Sequence, residues 1–231
     1  MLAGGPAPRN ADENWPVPAS PLGGYARTKA QAEREVLQAN GNALHTLSLR
    51  PAFVWGVGDR ANLPQLVESV REGQFTWIDG GYYPVSTCHV RNVVEGLLCA
   101  AEKGSPGGTY FLTDGPAPVM RDFFTALVQA HGVNPRLNSV SRSTVLKMAW
   151  LFELPWRLLP LRSEPPTHLR FIVETLGQEF TVDDGKARRD LAYRSAYSTE
   201  DGLAEIRAAF VGAEQNGALR TPKRRNSPTN S

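Results

Sequence analysis

Cysteine is nearly absent, with Cys88 and Cys99 the only two among 231 residues. They form neither a disulfide framework nor a metal-ligand spacing, which excludes a stapled secreted scaffold and makes a reducing, cytoplasmic interior the expected compartment. Long apolar runs are missing too. The nearest approach, Val145 to Leu161, is interrupted by Lys147, Glu153, Pro155, Arg157 and Pro160, and a bilayer span needs about 20 mostly apolar residues. The opening residues read as no secretory signal, having no basic segment followed by an apolar one. Strong charge of one sign is also missing. A net charge of +2 gives no reason to expect a nucleic-acid partner, and the one basic cluster, Lys223, Arg224 and Arg225, lies in a polar end from residue 214 that is expected to be a disordered, solubilising tail.

What is present is an ordinary soluble balance, 41% hydrophobic and 21% charged, enough for a sizeable core. The first 22 residues hold five prolines and read as extended loop. A helix is expected from Tyr25 to Asn40, then a strand over Leu44 to Leu49, a glycine loop, a helix over Pro64 to Glu72 and a strand at "FTWID". Arg91 to Glu102 repeats Val93, Val94, Leu97 and Leu98 at helical spacing, followed by a strand in "GGTYFLTDG" and a helix in "VMRDFFTALVQAHG". This alternation predicts an α/β layer structure over 23–140. From Ser141 to residue 213 the expectation is helix and turn without strands, ending in a helix over Thr199 to Val211.

The stretch "GGYARTKAQAERE" places Tyr25 and Lys29 four apart on the first helix. Six tyrosines and five lysines in 231 residues yield roughly 0.13 such matches by chance at ordinary composition. Spacing alone leaves two readings open. In one, Lys29 pairs with Glu33 on an exposed face. In the other, the stripe Tyr25, Lys29, Ala32 and Val36 is buried and the lysine ammonium favours the phenolate, so that the phenol exchanges a proton with a substrate oxygen. "GVGDRA" at residues 56–61 formally matches a dinucleotide fingerprint. It is expected to be a plain loop, because Arg50 and Pro51 precede it and "NLP" follows where a phosphate-binding helix would start.

"RNADENWPVPASPLGGYARTKAQAEREV", "LSLRPAFVWGVGD", "PVSTCHVRNVVEGLLCAAEKG", "GGTYFLTDGPAPVMRDFF" and "FTVDDGKARRDLAYRSAYSTEDGLAEI" occur in this order over residues 9–212. Together they resemble the extended short-chain dehydrogenase/reductases, the NAD-dependent epimerase/dehydratase superfamily, and most closely the 3β-hydroxysteroid dehydrogenase/isomerase-like branch. The resemblance implies a Rossmann-like parallel sheet with a smaller, mostly helical substrate subdomain, and an NAD- or NADP-dependent oxidoreductase of a hydrophobic secondary alcohol or ketone. It makes Tyr25 the acid/base and Lys29 the lysine that binds the nicotinamide ribose and favours the phenolate. It places Pro51, Ala52, Phe53 and Val54 against the nicotinamide. A homodimer is implied by analogy. A nucleotide-sugar epimerase or dehydratase, a dihydroflavonol-type reductase and a non-catalytic binding remnant are the alternatives.

Arg50 is expected to be structural, His89 a hydrogen-bonded packing residue, Asn92 a helix cap or a substrate contact, and Cys88 and Cys99 core. The Trp- and Leu-rich Val145 to Leu161 is a lid over an apolar substrate, a peripheral membrane contact or ordinary packing. Two elements of the resembling superfamily have no counterpart here: the first strand with its glycine turn, and the serine or threonine on a strand before the tyrosine. Ser20, in proline-rich loop, is not assigned that role. The resemblance therefore implies the C-terminal two-thirds of such an enzyme, weak in cofactor binding on its own and prone to association through an uncovered sheet.

Overall fold

The computed structural model describes residue 2 and residues 4–60, 62–158 and 168–215. The expected tail beyond residue 215, residues 159–161 at the end of the Trp- and Leu-rich segment, and residues 162–167 after it lie outside the described residues. Helix α1 spans Gly23–Gln38, and the chain then enters strands β1, Ser48–Pro51, and β2, Phe53–Trp55. Helix α2, Asn62–Arg71, is followed by β3, Trp77–Ile78, a single 3-10 turn at Asp79–Gly81, β4, Thr87–His89, and α3, Val90–Lys103. Next come β5, Thr109–Leu112, α4, Met120–Gln129, β6, Ser139–Val140, and the helices α5, Arg142–Leu158, α6, His168–Leu176, α7, Gly185–Asp190, and α8, Thr199–Gln215.

Among the described residues the three strand pairs are parallel: β1 with β5, β2 with β4, and β3 with β6. β1 and β2 form one extended run that changes partner at Ala52. The Ala52 N–H donates to the Leu112 carbonyl at 3.0 Å, whereas the next residue, Phe53, donates to Ser86 at 3.2 Å. The strand expected over Leu44 to Leu49 instead runs from Ser48 through Pro51. Ser48 and Ala52 both send their N–H groups to the β5 side, so Pro51, at odd register from them, has its missing donor on the other edge.

Residues 180–182 also depart from the strand-free expectation. Phe180 bridges Val85, and Val182 bridges Ala11, both in parallel. The Thr181 N–H donates to the Pro8 carbonyl and the Ala11 N–H to the Thr181 carbonyl, at 2.9 and 3.0 Å. Single bridges between residues 95 and 171 positions apart, Val85 with Phe180 and Ala11 with Val182, carry no local period, so the sequence pattern gives no sign of them.

One core packs Trp55, Val67, Trp77, Phe123, Phe124, Leu127 and Ile206 between the strands and α2, α4 and α8. Another holds Cys88, Tyr110, Leu112, Leu191 and Tyr193. Burial pushes the Cys88 thiol up to about 12, so it packs as an inert apolar group, as expected. Among the described residues, no helix is long and apolar enough to cross a membrane.

Candidate active site

Helix α1 shows its buried side at Ala26 and Ala30, with Glu33 and Leu37 half-buried on the same stripe. Tyr25, Lys29, Ala32 and Val36 all face outward, and Tyr25 is 65% exposed. The buried Tyr/Lys face expected from the pattern is therefore corrected. Two alanines allow close approach of the helix to the sheet, whereas the longer side chains of the other stripe do not. The Lys29 Nζ lies 5.8 Å from the centroid of the Tyr25 ring, as the four-residue spacing predicts.

The alternative pairing of Lys29 with Glu33 is also corrected. Arg50 holds the Glu33 carboxylate in a fork, its Nη2 on Oε1 at 2.6 Å and its Nε on Oε2 at 2.8 Å, while the Ser48 hydroxyl donates to Oε2 at 2.6 Å. Both side chains are only 11% exposed. This pair fastens α1 to β1, and Arg50 is structural as expected. Burial works to raise the Glu33 carboxyl, but the hydrogen bonds from Arg50 and Ser48 and the guanidinium charge outweigh it and hold it below its ordinary value of 4.5.

The folded-state value is thus depressed, so the carboxylate contributes stability that is present above about 4.5 and is lost as pH falls through the folded value. The wild-type melting temperature is expected to fall more steeply than that of Glu33→Gln as pH is lowered from 6 to 3. Parallel slopes in circular-dichroism melts would contradict this account of the pair.

From the opposite side, α6 brings Phe171 edge-on to Tyr25, with ring centroids 6.2 Å apart and planes at 77°. α6 is tied down at its end, where the Tyr83 hydroxyl donates to the Leu176 carbonyl at 2.6 Å. Of the four residues expected against a nicotinamide, Pro51 and Val54 are exposed, whereas Ala52 is half-buried. Phe53 turns inward onto the Phe124 ring at 5.2 Å, because alternate residues of β2 face opposite sides.

The residue that the sequence reading missed is Asp114, just after β5. Its Oδ2 accepts from the Trp55 indole N–H and the Thr87 hydroxyl, each at 2.8 Å. Its Oδ1 accepts from the His89 N–H at 2.6 Å and the Asn92 amide at 2.7 Å. This carboxylate gathers the ends of β2 and β4 and the start of α3. Asn92 is not the cap of α3. It is 1% exposed and brackets Tyr197, donating to its carbonyl and accepting from its N–H.

The cap of α3 is His89, whose Nδ1 accepts from the Arg91 N–H at 3.2 Å. The ring proton then sits on Nε2, which is buried and has no partner among the described residues. The ring stacks on Tyr197 and meets Trp55 edge to face, and burial pushes its titration below the usual range.

A helix does start directly after the "GVGDRA" loop, since α2 begins at Asn62 and takes Pro64 in its first turn, where proline is tolerated. The Asp59 carboxylate accepts from the N–H groups of Asn62 and Leu63 at 3.0 and 3.1 Å. An acid already fills the seat that a phosphate would need, which supports the plain-loop reading. Among the described residues, no group of three or more His, Cys, Asp or Glu side chains is placed to hold a metal ion.

Parallel strands layered with helices, with a tyrosine and lysine paired on the first helix, define a Rossmann-like α/β protein. The chain belongs to the 3-beta hydroxysteroid dehydrogenase/isomerase family, whose sequence profile matches residues 3–142. A relative from Stigmatella aurantiaca, 4-hydroxy-2-methyl-3-oxo-4-farnesyl-3,4-dihydroquinoline-1-oxide ketoreductase, is 43% identical over 219 residues, 95% of this chain and 65% of that protein. The crystal structure of gox2253 is similar with a TM-score of 0.69 at 24% identity, over 92% of this chain and 62% of that one. The dTDP-glucose 4,6-dehydratase of Bacillus anthracis, in complex with NAD, is similar with a TM-score of 0.59 at 15% identity, over 93% of this chain and 59% of that one. The chain spans less than two thirds of the length of each of these proteins.

Proposed function

We propose that the chain carries the proton-transfer and substrate side of an NAD(P)-dependent oxidoreductase that interconverts an apolar secondary alcohol and its ketone. The observation that carries this reading is the surface pair itself: Tyr25 presents its ring to solvent, with the Lys29 ammonium beside it and no carboxylate on that lysine among the described residues. Its donor set suits a nicotinamide ribose, since an ammonium can donate to two hydroxyls. The bound nicotinamide would supply or accept the hydride.

The chain's own part is proton movement. In oxidation Tyr25 Oη takes the alcohol proton, and in reduction it returns one to the carbonyl oxygen, a contribution worth about 10² to 10⁴ in rate. Lys29 holds the ribose beside the phenol, while Pro51 and Val54 offer exposed apolar surface for the ring. Phe171 supports an apolar substrate over a sugar nucleotide, because it sets an aromatic edge next to the reacting phenol where a sugar would need polar partners. The ketoreductase relative from Stigmatella aurantiaca, whose name describes a farnesylated quinoline, is in keeping with that class.

The reading extends to a division of labour in which 23–140 carries the cofactor side and 141–213 covers the substrate. Met148, Trp150, Leu151 and Phe152 of α5 are exposed, and they favour an apolar lid, or peripheral contact with a membrane, over simple packing. A cytoplasmic homodimer completes the proposal.

The test is consumption of NADH or NADPH by the full-length gene product containing residues 1–231. An apolar cyclic ketone is expected to be turned over at least tenfold faster than a nucleotide sugar. A reversed preference, or no turnover of either, would overturn the reading.

A further inference from the structure

We propose that Arg50 is a positioning residue for the Tyr25–Lys29 pair: by occupying both oxygens of Glu33 it keeps that carboxylate off Lys29 and leaves the lysine's charge to the tyrosine. This rests on reading Tyr25 and Lys29 as an acid/base pair. Glu33 lies one turn beyond Lys29 on α1, the spacing at which a lysine and an acid ordinarily meet. They do not meet because the guanidinium fork matches a carboxylate with two parallel donors, which a single ammonium cannot. With Ser48 added, the carboxylate has three short donors at 2.6 to 2.8 Å, none from Lys29.

Arg50 is itself fixed from behind. Its Nη1 donates to the Glu13 carbonyl at 3.4 Å and its guanidinium lies 5.4 Å from the Phe111 ring centroid. It therefore cannot swing out to follow Glu33 toward solvent without giving up both contacts.

The other charges around Tyr25 do not compete for Lys29. On α1 the neighbour is Arg27, a cation. On α6, beside Phe171, Glu174 accepts from the Gly4 N–H at 2.7 Å and lies 4.0 Å from Arg170, which also pairs with Glu153 at 3.3 Å. Glu33 is thus the acid whose choice of partner decides whether the lysine's charge is spent within the helix.

The test reads the Lys29 amine directly and needs no turnover. The whole chain is labelled with trace acetic anhydride at pH 9, and the peptide bearing Lys29 is quantified by mass spectrometry, with far-UV circular dichroism to verify the fold. In Arg50→Gln the freed Glu33 engages Lys29, and labelling is expected to slow about twofold, the effect of an exposed i,i+4 pair. The double variant Glu33→Gln/Arg50→Gln lacks the same ion pair but has no carboxylate to offer, and is expected to return to the wild-type rate.

A merely structural Arg50 gives the opposite pattern, with single and double variants labelling alike. Arg50→Gln at or above the wild-type rate, or a double variant as slow as the single one, overturns the proposal. Should Arg50→Gln fail to fold, Arg50→Lys against Glu33→Gln/Arg50→Lys carries the same comparison, because an ammonium cannot hold both oxygens. Failure here leaves the acid/base reading intact, whereas turnover unaffected by loss of the Tyr25 hydroxyl removes that reading whatever the labelling shows.

Discussion

Tyr25→Phe is expected to lower ketone reduction by about 10² to 10⁴ while changing the dissociation constant for NADH or NADPH less than about threefold. The substitution removes one hydroxyl and keeps the ring that meets Phe171, so the aromatic contact and the helix surface persist. A loss confined to kcat, with cofactor affinity retained, marks an interaction made in the transition state rather than in the ground state. Because Tyr25 is 65% exposed, its replacement leaves no cavity, and the melting temperature should stay within about 2 °C of wild type. Both quantities come from steady-state kinetics and a thermal melt on one preparation. Retention of more than a tenth of the activity would remove Tyr25 from the chemistry.

The largest effect on stability is expected at Asp114. Asp114→Ala strips acceptors from the Trp55 indole, the Thr87 hydroxyl, the His89 N–H and the Asn92 amide at once. Trp55, Thr87, His89 and Asn92 are all buried, so water cannot readily replace the lost partner, and a buried donor left unmatched costs about 1 to 3 kcal/mol. Partial relaxation makes these losses less than additive, and a total of about 4 kcal/mol is expected. For a chain of this size that lowers the melting temperature by about 8 to 16 °C. Asp114→Asn, isosteric but offering donors where four donors already converge, should recover less than half of the loss. A fall of under 3 °C for Asp114→Ala would show that the four contacts are not a single supporting unit.

The layered fold was legible because glycines bound the strands and the apolar residues of α3 and α4 recur at helical spacing. The face of α1 was not, for a physical reason: both stripes of that helix mix apolar and polar residues. The choice between them is made by Arg50, 17 positions from Glu33, and by the closeness that Ala26 and Ala30 permit. Asp114 was hidden in the same way. In "LTDG" it looks like a turn residue, and the four groups that identify it come from positions 55, 87, 89 and 92. The Tyr25–Lys29 spacing was readable because helix geometry alone fixes it. Their exposure was not, because exposure is set by what the helix rests on.

α1 divides its duties by side, with Ala26 and Ala30 pressed to the sheet while Tyr25 and Lys29 stand clear of it. Under mutation the two sides would drift separately. Changes at the outer positions alter what the helix presents to solvent with little penalty in folding. The inner positions have no such latitude, since even one added methylene at Ala26 or Ala30 pushes the helix, and with it the outer pair, away from the sheet.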